Sequence, residues 1–240
     1  MEPDNEVKTR RPRRSKADIE EAIQKAATAQ IKKKGFSLAL VTDIVKRAKI
    51  EPIVFYNRYK NLDEFYDTFV KEYDYWISDL IRSHSDAIGT EEGFSEILDT
   101  LMRNLLDDQI MTELLRWEVS EGNHITERTA KLRELHSLEL INLYEGLFNG
   151  KGIDPVALWA LTVAGIYFMV LHKDRSTFGG IDLNTSEGRQ RLSNAFSSLA
   201  HMVFHYRSQG NSTQTIAERM RKEGIPEETI ARCLEGLAEE

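Results

Sequence analysis

Cysteine is almost missing: the 240 residues contain one, Cys233. An intramolecular disulfide is therefore excluded, which fits a reducing compartment. Proline is also scarce, with five residues, and strand-like alternation is rare, so an all-α chain is expected. No apolar stretch follows the charged residues 1–16, so no secretory leader is expected. The apolar stretch over residues 156–171 contains no charge but is slightly shorter than the roughly 20 residues of a membrane span. No membrane partner is expected, and the chain reads as cytoplasmic. Catalytic signatures are absent too: no Walker loop, no G-x-S-x-G, no H-E-x-x-H and no C-x-x-C. The six histidines are His84, His124, His136, His172, His201 and His205. His201 and His205 share a helical face, but no acid or thiol lies near them in sequence, which favours a core or interface role over metal binding. No enzymatic activity, cofactor or metal is expected.

The formal net charge of −7 hides an asymmetry. Residues 1–60 carry 15 Lys/Arg and 8 Asp/Glu, or +7; the other 180 carry 32 − 15 = 17 basic and 39 − 8 = 31 acidic groups, or −14. A basic head on an acidic body suggests that one end meets a polyanion. Arg10, Arg11, Arg13 and Arg14 surround Pro12 in a polar segment, residues 1–14. It reads as an arm that neutralises phosphates or enters a minor groove, or else as a solvated tail.

Ser15 and Asp18 form a capping box that opens a first helix. Ile19, Ile23, Ala26, Ala27 and Ile31 make its buried stripe, and Gly35 stops it. Residues 41–65 then read as two short helices around a tight turn and the start of another. Val41, Ile44, Val45 and Ala48 lie on one helical face. Pro52 suits the first position of the next helix, and Asn61 with Glu64 predicts a second capping box. Two short helices at this spacing form a helix-turn-helix, whose second helix fits the DNA major groove.

Gly35, Phe36, Val41, Ile44, Ala48, Ile50, Phe55, Tyr56, Tyr59 and the Asp63–Glu64–Phe65 run resemble the N-terminal domain of the tetracycline-repressor (TetR) family of bacterial transcription regulators. The resemblance covers roughly residues 15–66, a quarter of the chain. Three positions depart from the family pattern. Lys49 replaces a turn glycine, Leu40 a capping threonine and Leu62 a lysine that usually touches a phosphate. The resemblance implies a homodimeric repressor of a near-palindromic double-stranded operator, controlled by an unknown small-molecule effector.

The candidates for meeting DNA are Arg10, Arg11, Arg13, Arg14, Thr42, Lys46, Pro52, Ile53, Val54, Tyr56, Asn57 and Lys60. Asparagine can read adenine, while Ile and Val can only touch a thymine methyl or exclude other bases. The resemblance implies a phosphate contact for Tyr56. Phe55 and Tyr59 read as core.

Beyond residue 62 the apolar spacing predicts one long helix to about residue 85, joining head to body. Further helices are expected over residues 90–107, 109–121, 126–148, 155–172 and 186–207. Leu101, Leu105, Trp117, Leu138, Tyr144, Trp159 and Phe168 either line an apolar effector cavity or are plain core packing. The nearly all-apolar helix 155–172 and the helix 186–207 are expected to bury one side on a partner copy, as a four-helix dimer interface. Residues 208–212 read as a linker, and two short helices follow over 213–223 and 226–237.

The fold class expected is thus all-α, with an arm (1–14), a helix-turn-helix domain (15–66), an effector-binding and dimerisation domain (67–207) and a linker with a helical hairpin (208–240). The alternative is a dimeric small-molecule-binding scaffold that reads DNA weakly, for which Leu40, Lys49 and Leu62 speak.

Overall fold

A computed structural model describes residues 14–206 and 212–237. Its helices are α1 (Lys16–Lys34), α2 (Val41–Ala48), α3 (Pro52–Tyr56), α4 (Leu62–Val70), α5 (Trp76–Ser83), α6 (Glu91–Asp107), α7 (Gln109–Ser120), α8 (His124–Phe148), α9 (Pro155–His172), α10 (Ser186–Phe204), α11 (Ser212–Lys222) and α12 (Glu227–Leu237). No strand occurs among the described residues; an isolated bridge joins Phe178 and Ile181. The all-α expectation therefore holds, with most boundaries within a few residues.

The expected long helix over residues 62–85 is interrupted. After α4 the chain passes through a 3-10 turn, Lys71–Tyr73, before α5 begins at Trp76. At the break the Lys71 N–H bonds the Thr68 carbonyl. The Asp67 carbonyl, its partner in an uninterrupted α-helix, instead accepts from Arg128 of α8 (3.4 Å). The same guanidinium pairs with the carboxylates of Asp67 (3.2 Å) and Asp74 (2.6 Å). A long-range cation thus substitutes for a helical donor.

Packing divides the chain into two compact units. One comprises the residues up to Trp76 together with Leu105–Glu134, the other Ile77–Asn104 together with the residues from Leu135 on. The division does not follow the expected boundary at residue 66, because α7 and the first part of α8 belong with the N-terminal helices. In this first unit Ile23, Ala27, Ile31, Ile44, Phe55 and Phe65 are fully buried. The Tyr66 hydroxyl donates to the carbonyls of Phe36 (3.1 Å) and Ala39 (2.7 Å), fixing the loop between α1 and α2. α7 joins through Gln109, whose amide donates to the Lys32 carbonyl at the end of α1 (2.9 Å).

The second unit is built on Phe94, Tyr144, Phe148, Trp159 and Phe204, whose rings meet edge-on or tilted at 5.1–6.2 Å. Two helix starts here use one device. Thr90 accepts from Gly93 N–H and Thr185 from Gly188 N–H, each at 3.0 Å. At both, a Cβ on the glycine would lie under 2 Å from a backbone carbonyl, Ala87 O (1.8 Å) or Asp182 O (1.9 Å), so the chain must come too close for any other residue. The C-terminal pair α11 and α12 carries an Arg221–Glu227 ion pair, with Ala217 and Ile230 buried.

Candidate nucleic-acid interface

The capping box of α1 is present in full: Ser15 Oγ accepts from Asp18 N–H and Asp18 accepts from Ser15 N–H. At α4 the box is only half formed. Asn61 Oδ1 accepts from Glu64 N–H (2.8 Å), but Glu64 reaches back to the Lys60 N–H, one residue earlier than expected. Both arrangements still satisfy donors that helix starts leave without partners.

α2 begins at Leu40 with no side-chain cap and ends at Lys49, which is left-handed at φ 54° and ψ 51°. Ile50 N–H then bonds Val45 O (3.1 Å), the six-to-one bond that closes helices in this way. Lys49 therefore performs the backbone task for which glycine is better suited, at a cost of roughly 1–2 kcal/mol. Pro52 follows at the first turn of α3, so the two short helices are joined by three residues.

α3 divides into two faces. Phe55 is fully buried, and Tyr59 just beyond the helix is buried with its hydroxyl bonded to Glu20 of α1. Burial, then that bond and the negative charge, raise the Tyr59 phenol above its ordinary value. Both residues are core, as their spacing predicts. On the opposite face Pro52, Ile53, Tyr56 and Asn57 are exposed, Ile53 at 63% and Tyr56 at 50%, while Val54 is half-buried. Thr42, Lys46 and Lys60 are exposed as well.

Of the four arm arginines, Arg10, Arg11 and Arg13 lie outside the described residues. Arg14 donates to the Ala48 carbonyl at the end of α2 (2.9 Å). With Lys25, Arg47 and Lys49 it lines a depression of about 340 Å³, a cluster of cations beside the turn. Leu38 and Leu40 were not among the candidates, yet both are large, apolar and exposed just before α2. An exposed apolar pair is the kind of surface that can touch thymine methyls. Its sequence signal was the unpatterned Ser37–Leu38–Ala39–Leu40 run. Asp43 on α2 is held below the usual carboxylate range chiefly by its hydrogen bond from Lys34 (2.7 Å), so that lysine serves α2.

The seven proposed cavity residues are divided between the two units. Trp117 stacks on Phe36 in the first unit, where Leu105 is also buried. Leu101, Tyr144 and Trp159 belong to the second unit, where Tyr144 and Trp159 are part of the aromatic core. Leu138 and Phe168 are exposed. Core packing accounts for the buried members. A different cleft of about 400 Å³ in the second unit is lined by Ser78, Ile81, Arg82, Ser85, Ile88, Leu135, His136 and Glu139.

Solved structures share this fold. The fatty acid degradation regulator FadR from Bacillus halodurans superposes with a TM-score of 0.58 at 16% identity, over 81% of this chain and 100% of its own. A TetR family transcription regulator from Marinobacter aquaeolei VT8 gives 0.50 at 20% identity, over 76% and 95%. The fold is that of the TetR-type regulators. No family model and no curated protein matches the sequence. The likeness these comparisons show is therefore one of fold.

Proposed function

We propose that this protein is a homodimeric, sequence-specific DNA-binding transcription regulator, acting as a repressor under the control of a small-molecule effector. The observation that carries the reading is the two-faced α3: Phe55 anchors it to the head while Ile53, Tyr56 and Asn57 stand free to enter a groove. Thr42, Lys46, Lys60 and the arm arginines supply phosphate contacts, and Asn57 supplies base reading. Effector control rests on the TetR-type fold, and the cleft lined by Arg82, His136 and Glu139 is the candidate entry for a small amphipathic molecule.

Self-association is supported by α9. Ala157, Ala160, Leu161, Ala164, Gly165 and Phe168 fall on one helical stripe and every one is exposed, whereas only Ile166 and Val170 are buried. α9 is also the one helix among the described residues that is long and apolar enough to cross a membrane. A lone span next to a soluble helical core has less support than a stripe of small residues awaiting a second copy. α10 buries Leu192, Phe196, Ala200 and Val203 and leaves Ala195, Ser198 and Met202 exposed. A two-fold dimer implies a near-palindromic operator with half-sites about 34–36 Å apart or a multiple of that.

The test is a mobility-shift titration on the gene's own upstream DNA at several salt concentrations. Discrete complexes that weaken steeply with salt are expected. Tyr56→Ala should weaken binding to all sequences, and Asn57→Ala should relax preference at one base pair by about 1–3 kcal/mol. Smearing that is indifferent to sequence would instead favour a small-molecule-binding scaffold with weak DNA affinity, the reading to which the uncapped Leu40 and left-handed Lys49 point.

A further inference from the structure

His201 and His205, which have no acidic neighbour in sequence, gain one in space. Glu91, at the start of α6, places one carboxylate oxygen 3.1 Å from His201 Nδ1 and the other 3.0 Å from His205 Nε2. The two rings lie 4.3 Å apart. One ligand atom from each of the three residues falls within 4.8 Å of the others. The carboxylate comes from 110 residues earlier than His201, all three residues belong to the second unit, and the DNA-binding reading makes no use of them.

We propose that Glu91, His201 and His205 form a binding site for a divalent first-row transition cation, with Zn²⁺ the best-suited ion. Two imidazoles and one carboxylate are a donor set that zinc takes with a fourth position left to water. Zinc–nitrogen bonds of about 2.0–2.1 Å set neighbouring donors of a tetrahedron a little over 3 Å apart. Each histidine nitrogen is already that close to one carboxylate oxygen, and the three ligand atoms lie within 4.8 Å of one another, a gap that side-chain rotation can close. His201 would offer Nδ1 and carry its proton on Nε2; His205 would offer Nε2 and carry its proton on Nδ1. Neutral rings need lose no proton, and the ion takes the place of the two bridging hydrogen bonds. A calcium- or magnesium-type cation is disfavoured, since those ions select oxygen donors. Both histidine side chains are about two-thirds exposed, at 66% and 62%, so the site is open to the solvent and suits a reversible ion better than a permanently buried one.

The experiment is isothermal titration of the full-length, chelator-treated chain with Zn²⁺, repeated for His201→Ala, His205→Ala and Glu91→Gln. One ion per chain with micromolar or tighter affinity is expected, falling about 10–100-fold in each histidine variant. Glu91→Gln keeps an acceptor for the hydrogen bonds but loses the charge, so it too should weaken binding. Circular dichroism should be unchanged, because both histidines are exposed and Glu91→Gln keeps the shape of the side chain. Co²⁺ in place of Zn²⁺ should give visible ligand-field bands that disappear in the His201→Ala/His205→Ala double variant. No saturable uptake in the micromolar range, or uptake that the double variant retains, would overturn the proposal. Neither readout involves DNA, so it stands or falls separately from the regulator reading.

Discussion

Phe36 lies flat on Trp117, with ring centroids 4.9 Å apart and planes 5° from parallel. The indole N–H donates to Glu121 (2.9 Å). Tyr66 meets the same indole edge-on at 5.6 Å. α7 thereby holds the loop that leads into the helix-turn-helix. Trp117→Ala should destabilise the protein by about 3–5 kcal/mol, read as a lower urea midpoint. A loss under about 1 kcal/mol would mean that the stack is incidental.

The second helix-start glycine offers a sharper steric test. A methyl at Gly188 would sit 1.9 Å from the Asp182 carbonyl, and backbone atoms cannot swing aside as side chains do. Gly188→Ala should cost about 1–3 kcal/mol or more, whereas alanine normally improves a helix. Thermal melting of the variant decides it; a raised Tm would contradict the crowding.

Lys49 provides the opposite case. Lys49→Gly should relieve the left-handed residue and stabilise the head by about 1 kcal/mol. The same change removes a cation from the cluster with Arg14, Lys25 and Arg47. If that cluster meets phosphates, DNA affinity falls while stability rises, and the salt dependence becomes shallower. Measuring both on one variant separates the two effects.

The stripe on α9 can be probed at Gly165, where nothing lies within 4 Å of an added Cβ in the single chain. For a free helix Gly165→Ala should gain about 0.5–1 kcal/mol; for a tightly packed seam it should weaken association. Leu161, 74% exposed, gives the stronger test. Leu161→Arg should yield a folded monomer by light scattering. Unchanged mass would refute the assignment of this surface.

Four tyrosines shape the alkaline limb. Burial pushes Tyr73 up to about 12, with help from Asp108 and Glu72. Tyr66 and Tyr144 are raised by burial first, and Tyr59 by burial and Glu20. The fold prefers the neutral phenols. Their contribution is complete below the ordinary value of 10.0 and is lost as pH climbs through the higher folded values. Tyrosinate absorbance should therefore lag behind that of free tyrosine until the protein unfolds. Tyr66→Phe, which leaves the Phe36 and Ala39 carbonyls without that donor, should cost about 1–3 kcal/mol at neutral pH.

What the sequence made legible was local. The Ser15 cap, Pro52 at the start of α3 and the apolar stripes each act within one or two turns, and the helices followed. The outward face of α3 was legible for the same reason: with Phe55 and Tyr59 inside, Ile53 and Asn57 have to point elsewhere. What escaped depends on residues far apart in the chain. The break after Val70 turns on Arg128, 61 residues from Asp67. The Phe36–Trp117 stack joins two rings from distant parts of the chain, and Glu91 meets His201 from 110 residues away. Apolar periodicity says which side of a helix is inside, but not which partner it meets there.

The uncharged ribbon of α9 has a consequence for the life of the newly made chain. A freshly folded subunit displays alanines, a glycine, a leucine and a phenylalanine in a row, with no lysine or glutamate among them to discourage casual stickiness. If this surface is the proposed dimer seam, it is a hazard until a second copy covers it. Cells that make little of the protein would lose more of each batch to chaperones and proteases, and its abundance would answer to its rate of synthesis more steeply than in simple proportion.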